Sequence, residues 1–277
     1  SLATNMNATQ ASAVTLRDNS GTSTFGLATA TGTSDVLNVT LKNTTSTASA
    51  DMNAATVTGF ETLNVVSSSG SSADISALAF AAAANLTKLN ISGAFPISLT
   101  TTNITKAVAI DASAMTFAPA SGAYTLTMTG ATAAGSSVKG SETADSITVS
   151  GTTGTTYDAG AGNDLITAAV ADLVATGTDD NKINAGAGTD TIAISDTGVT
   201  LTDNHFTFIS AAEKMTTTTG SVSITTGGSF NSAFADSYTL TTGILADTST
   251  FSLSAGLYSK NVTVTIDGTA LVADAGV

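Results

Sequence analysis

Twice in this chain two glycines, one residue apart, are followed by an aspartate and then by an isoleucine at fixed spacing. The stretches are Ala159-Gly160-Ala161-Gly162-Asn163-Asp164-Leu165-Ile166 and Ala185-Gly186-Ala187-Gly188-Thr189-Asp190-Thr191-Ile192. A degenerate copy precedes them: Gly140-Ser141-Glu142-Thr143-Ala144-Asp145-Ser146-Ile147. Glycine lets the backbone turn sharply and bares its carbonyl oxygens. The isoleucine that follows opens a strand and points inward. Bends of this kind at intervals along a chain fit stacked strands.

The aspartate adds a hard anionic oxygen to each bend. Calcium takes about 6–8 oxygen ligands, a shell that carbonyls and carboxylates from two stacked bends can supply. The candidate metal residues are therefore Gly160, Gly162, Asp164, Gly186, Gly188 and Asp190, with Gly140 and Asp145 as the weaker set. The same residues also fit ordinary Gly/Asp turns in a β protein, and the pattern alone leaves both readings open. Asp164 lies 19 positions after Asp145, close to one coil of two nine-residue units, whereas Asp190 lies 26 after Asp164. The longer interval places an insertion around Ala171–Asp180.

The bends belong to a wider repetition. Gly59-Phe60-Glu61-Thr62-Leu63-Asn64-Val65 returns as Leu86-Thr87-Lys88-Leu89-Asn90-Ile91, with Leu63 and Leu89 offset by 26. Gly32…Asp35 followed by Glu61 parallels Gly188…Asp190 followed by Glu213. Irregular repeats of this length, each giving one or two strands and a polar turn, mark a solenoid. Apolar alternation predicts strands at Ala13–Arg17, Val36–Leu41, Tyr124–Thr129, Ser146–Ser150, Val199–Thr202, His205–Ile209, Ser221–Thr225, Tyr238–Leu240, Phe251–Leu253 and Val262–Ile266. The alanine-rich Ile75–Asn85 reads equally as a helix or as a solenoid coil. The expected division is an N-terminal strand or linker segment over 1–31, a β-solenoid over 32–225 with its glycine bends at 139–196, and a C-terminal β segment over 226–277.

Composition narrows the chemistry. The 277 residues carry a net charge of −13, and the eight Lys and Arg are scattered, which disfavours nucleic acid and anionic membranes. There is no cysteine, so neither disulfides nor thiolate zinc sites are available. No apolar run is long enough to cross a membrane as a helix. The single histidine, His205, reads as a half-exposed strand residue. Ser136-Ser137-Val138-Lys139 matches S-x-x-K in letters only, without the partner motifs that chemistry needs. Leu165 and Thr191 stand where a dinucleotide fingerprint needs its third glycine. Asp179–Asp190 fails as an EF-hand because Ile183 occupies a ligand position. Paired-carboxylate chemistry is open to the many aspartates, but the basic and aromatic residues that line sugar grooves are scarce.

The bends, the Gly-Phe-Glu-Thr-Leu-Asn-Val unit, Asn85-Leu86-Thr87-Lys88-Leu89-Asn90-Ile91-Ser92-Gly93 and Ala107-Val108-Ala109-Ile110-Asp111-Ala112-Ser113-Ala114 appear together in an acidic, cysteine-free, threonine-rich chain. Together they resemble the large surface-layer (S-layer) proteins and related repeats-in-toxin (RTX) adhesins that Gram-negative bacteria export by type I secretion. The bends resemble the RTX nonapeptide G-G-x-G-x-D-x-U-x, with Ala159 and Ala185 in place of its first glycine. The resemblance spans roughly residues 30–220. It implies an all-β, right-handed parallel β-helix or β-roll solenoid with Ca2+ between its turns. It also implies secretion to the bacterial cell surface, lateral self-assembly into a lattice, and contact with surface polysaccharide or lipopolysaccharide through regions outside this chain. The expected role is structural and non-enzymatic. The alternatives are an RTX-type adhesin segment that binds an external surface or glycan, and a β-helix polysaccharide lyase or hydrolase.

Overall fold

The computed structural model describes residues 2–18, 21–42, 51–68, 75–117, 123–150, 154–175, 177, 180–242, 251–255 and 261–266. Successive strands alternate between two parallel sheets, so the chain winds as a parallel β-solenoid. The longer sheet has 12 strands, from Leu2–Met6 to Asn261–Ile266. The second has 9, from Val14–Arg17 to Ile209–Ser210. A two-stranded sheet joins Ala161–Gly162 to Ala187–Gly188. A three-stranded sheet of Thr200–Leu201, Val222–Thr226 and Phe251–Ala255 replaces the second sheet in the last rungs. Both main sheets already contain strands before residue 32, and the long sheet runs on past residue 225.

Alternation along each strand turns every second residue inward, and register then aligns like with like. On the second sheet Leu37, Leu63, Leu89, Ile110, Val138, Tyr157, Ile183 and Ile209 stand directly above one another. On the long sheet the column is Leu78, Leu99, Met128, Ile147, Ile166, Ile192, Met215 and Leu240. All of these are buried. They run through the single apolar core, which also takes in neighbouring inward residues such as Val39 and Val65 and the buried rings of Phe25 and Phe60. Outside the wall, the repeated asparagine forms a ladder: Asn64 Nδ2 donates to Asn38 Oδ1, and Asn90 Nδ2 to Asn64 Oδ1, both at 2.6 Å. The 26-residue repeat in the sequence is thus one full turn of the coil.

Two segments depart from expectation. Of the two readings of Ile75–Asn85 the coil is the one formed, as strand Ser76–Ala82. Ser76, Leu78 and Phe80 are buried while Ala77 and Ala79 lie on the outer face, so sheet pairing overrides alanine's helix propensity. His205–Ile209 is not a strand. Asp203–Phe206 forms a 3-10 turn, and only Ile209–Ser210 is extended. The turn swings Phe206 inward against Phe230, with ring centroids 4.6 Å apart, and Phe234 completes the cluster. The insertion expected near Ala171–Asp180 includes another 3-10 turn, Val170–Leu173. The terminal stretch beyond residue 266 lies outside the described residues.

The aromatic cluster is fixed by a carboxylate. Asp203 accepts the N–H groups of Ser229 and Phe230 at 3.1 and 2.9 Å, the opening turn of helix Gly228–Ala233 one rung away. Burial works against this charge, but those N–H groups outweigh it and hold the Asp203 carboxyl below the usual range. Asp203→Ala is expected to lower stability by about 1–2 kcal/mol, as loss of a helix cap does. Thermal melting would read this, and an unchanged midpoint would mean that the helix start is held by something else.

Candidate metal centre

The three glycine bends come together on one side of the coil. Ala161 donates to the Ser141 carbonyl at 3.1 Å, and Ala187 to the Gly160 carbonyl at 3.0 Å, so each bend sits on the one before it. The glycines are required by this stacking. Gly186 has φ +104°, and an added Cβ would lie 2.1 Å from the Gly160 carbonyl oxygen. Gly188, at φ +149°, would place its Cβ 1.6 Å from the Gly162 oxygen. Gly160 and Gly162 meet Ser141 and Thr143 in the same way, and a Cβ on Gly140 would meet the Ala159 oxygen at 2.1 Å. Asn163 adds a further tie by accepting the Thr189 N–H at 2.9 Å.

The aspartates of the three bends point between rungs, into the wall. Asp145, Asp164 and Asp190 are 0%, 2% and 0% exposed. They form a directional ladder. Leu126 N–H donates to Asp145 Oδ1 at 2.8 Å, Asp145 N–H to Asp164 Oδ1 at 2.7 Å, and Asp164 N–H to Asp190 Oδ1 at 2.8 Å. Asp190 N–H then donates to Glu213 Oε2 at 2.8 Å. One function of these carboxylates is therefore structural: each satisfies a backbone donor of the preceding rung. The sequence reading missed Glu213 as the fourth member. Its signal was the Asp190–Glu213 interval, which parallels Asp35–Glu61.

The remaining oxygens separate the three aspartates. Asp145 has both engaged, because Oδ2 accepts the Ser141 N–H at 2.6 Å and the Ser141 hydroxyl lies 3.0 Å from either oxygen. Asp164 Oδ2 and Asp190 Oδ2 are buried without a hydrogen-bond partner. A buried carboxylate is costly to ionise, and burial raises the proton affinity of all three, whether or not both oxygens are partnered. Burial, partly offset by N–H donation from Ser141 and Leu126, pushes Asp145 up to about 6. Burial raises Asp164 to about 8, with the neighbouring Asp145, Asp190 and Asp158 charges adding to the rise. Asp190 is raised to about 6 by burial and by Glu213.

The donor set suits a hard dication in kind: unpartnered carboxylate oxygens on adjacent rungs, beside glycine bends with no side chain to block approach. Among the described residues no three Asp, Glu, His or Cys side chains converge on one point. A cation shell here would therefore combine carboxylates from neighbouring rungs with backbone carbonyls. His205 Nδ1 lies 3.0 Å from its own turn's Thr202 nitrogen. The Ser136 hydroxyl donates to Ala133 and accepts from Val108, ahead of strand Ser137–Lys139. Among the described residues no helix is long and apolar enough to cross a membrane. No family model matches the chain, and no curated protein or solved structure is significantly similar to it.

Proposed function

We propose that this chain is a structural segment of a secreted bacterial surface layer, a solenoid wall that sets with calcium and associates laterally with its own copies. The observation that carries the reading is the pair of buried, unpartnered oxygens on Asp164 and Asp190, between stacked glycine bends. Bound calcium would supply positive charge against these carboxylates. Asp164 and Asp190 would hold it, their Oδ1 atoms remaining on the backbone donors below and their Oδ2 atoms facing it. Gly160, Gly162, Gly186 and Gly188 keep the bends thin enough for adjacent rungs to share ligands. Binding free energy at such a site adds to folding free energy, because the unfolded chain has no preformed seat. The chain would then stay loose where calcium is scarce and set where it is plentiful. The long polar faces of a continuous solenoid suit side-by-side contact, which supports the layer role.

The test is a calcium titration followed by thermal melting and negative-stain microscopy. Calcium is expected to raise the melting midpoint and to drive ordered sheets, with EGTA reversing both. Identical melting in calcium and EGTA would remove the calcium reading. Monomers at every calcium level that are retained on a glycan surface would favour the adhesin reading over the layer.

A further inference from the structure

The contact that closes the aspartate ladder occurs a second time, on the other sheet. At Asp190 and Glu213, Asp190 N–H donates to Glu213 Oε2 at 2.8 Å, while Glu213 and Lys214 N–H groups donate back to the Asp190 carbonyl at 3.2 and 2.9 Å. At Asp35 and Glu61, Asp35 N–H donates to Glu61 Oε2 at 2.9 Å, and Glu61 and Thr62 N–H groups return to the Asp35 carbonyl, both at 3.0 Å. In both places the second oxygen of the aspartate, Oδ2, is buried and has no hydrogen-bond partner. Asp190 itself is 0% exposed.

The two steps share no glycine bend. Asp190 follows the Gly186/Gly188 turn, whereas Asp35 follows Gly32-Thr33-Ser34, which lacks the paired glycines. Gly32 nonetheless guards the same oxygen, since an added Cβ there would come within 2.8 Å of Asp35 Oδ2. What recurs is an aspartate on one rung, a glutamate on the next that accepts its N–H, and one orphaned anionic oxygen on the aspartate. A buried carboxylate oxygen in native proteins is normally partnered. The same orphaned oxygen recurs in two turns of different glycine content, and a hard cation is a partner that suits it in both. Two anionic side chains a rung apart suit a hard cation.

We propose that the aspartate–glutamate step is a divalent-cation seat in its own right, formed by Asp190 with Glu213 and again by Asp35 with Glu61. This rests on the calcium reading above and adds two ligands, Glu213 and Glu61, and one site in the N-terminal half of the coil, remote from the glycine bends.

The experiment is calorimetric titration of calcium chloride into EGTA-stripped, desalted full chain, comparing wild type with Glu213→Gln and Glu61→Gln. Glutamine keeps one oxygen to accept the aspartate N–H, and replaces the other, with its charge, by an NH2 group that cannot bind a cation. Each variant is expected to lose one class of calcium site, or to weaken it by about tenfold or more, as lost ligand charge does. Melting in EGTA should stay near wild type for both. If wild type binds no calcium, the calcium reading fails and this proposal with it. If wild type binds but both variants titrate identically to it, the proposal alone is wrong. If a variant melts lower in EGTA by as much as in calcium, its carboxylate is a structural strut and the proposal is wrong for that step.

Discussion

Replacing Gly188 with alanine should strongly destabilise the middle of the coil. Its backbone sits at φ +149°, and the new methyl would lie 1.6 Å from the Gly162 carbonyl oxygen. That oxygen belongs to main chain locked in the rung beneath, so no flexible side chain can move aside. The cost should reach the range of about 4 kcal/mol or more that single substitutions show only when packing or backbone is broken outright. At roughly 2–4 °C per kcal/mol the melting midpoint should fall by about 10 °C. Gly177→Ala is the control, because no atom lies within 4 Å of the added methyl. Equal midpoints for the two variants would show that the rungs do not stack as described.

The second large effect is on pH. Asp145, Asp164 and Asp190 are raised from 3.8 to about 6, 8 and 6, chiefly by burial. Between pH 4 and 8 the folded chain therefore holds protons that the unfolded chain has released. Stability rises with pH only where the unfolded state binds more protons, so here it must fall. In EGTA the fold should be firmest below about pH 4 as far as these groups are concerned. It should weaken from about pH 4 upward, most steeply to about pH 6 where all three groups contribute, and more gently from there to about 8, where only Asp164 still does. Calcium favours the ionised forms and should flatten or invert this slope. Melting curves at pH 5, 6.5 and 8, with calcium and with EGTA, would check both limbs. A midpoint that rises with pH in EGTA would mean that these carboxylates are solvated in solution.

Much of the fold was legible because a solenoid writes its geometry into the chain. The recurrence of Leu-Asn-Val at Leu63 and Leu89 gave the rung length directly, since equivalent residues stack one turn apart. The Gly/Asp bends were equally plain, because only glycine survives where one backbone passes directly over another. Ile75–Asn85 stayed ambiguous because alanine's helix propensity competes with the alternation of Leu78 and Phe80; those buried residues decide it through pairing partners 20 or more residues away. His205–Ile209 misled because alternation cannot register that Phe206 must meet Phe230, or that Asp203 caps a helix in the next rung. At the candidate site the aspartates were readable but the orientation of their two oxygens was not. Which oxygen takes a backbone donor depends on the neighbouring rung. For the same reason Asp145, with its own serine four residues earlier, is self-satisfied where Asp164 and Asp190 are not.

The in-register columns of the two sheets have a consequence for how such a chain acquires its shape. Leu63 touches its counterparts about one turn before and one turn after it, and so does nearly every core residue. Contacts therefore close only short loops, and order can spread from any formed pair to its neighbour without waiting for distant parts of the chain. A polypeptide arriving end-first, as a thread, can zip from whichever end emerges, each new coil templated by the edge of the last.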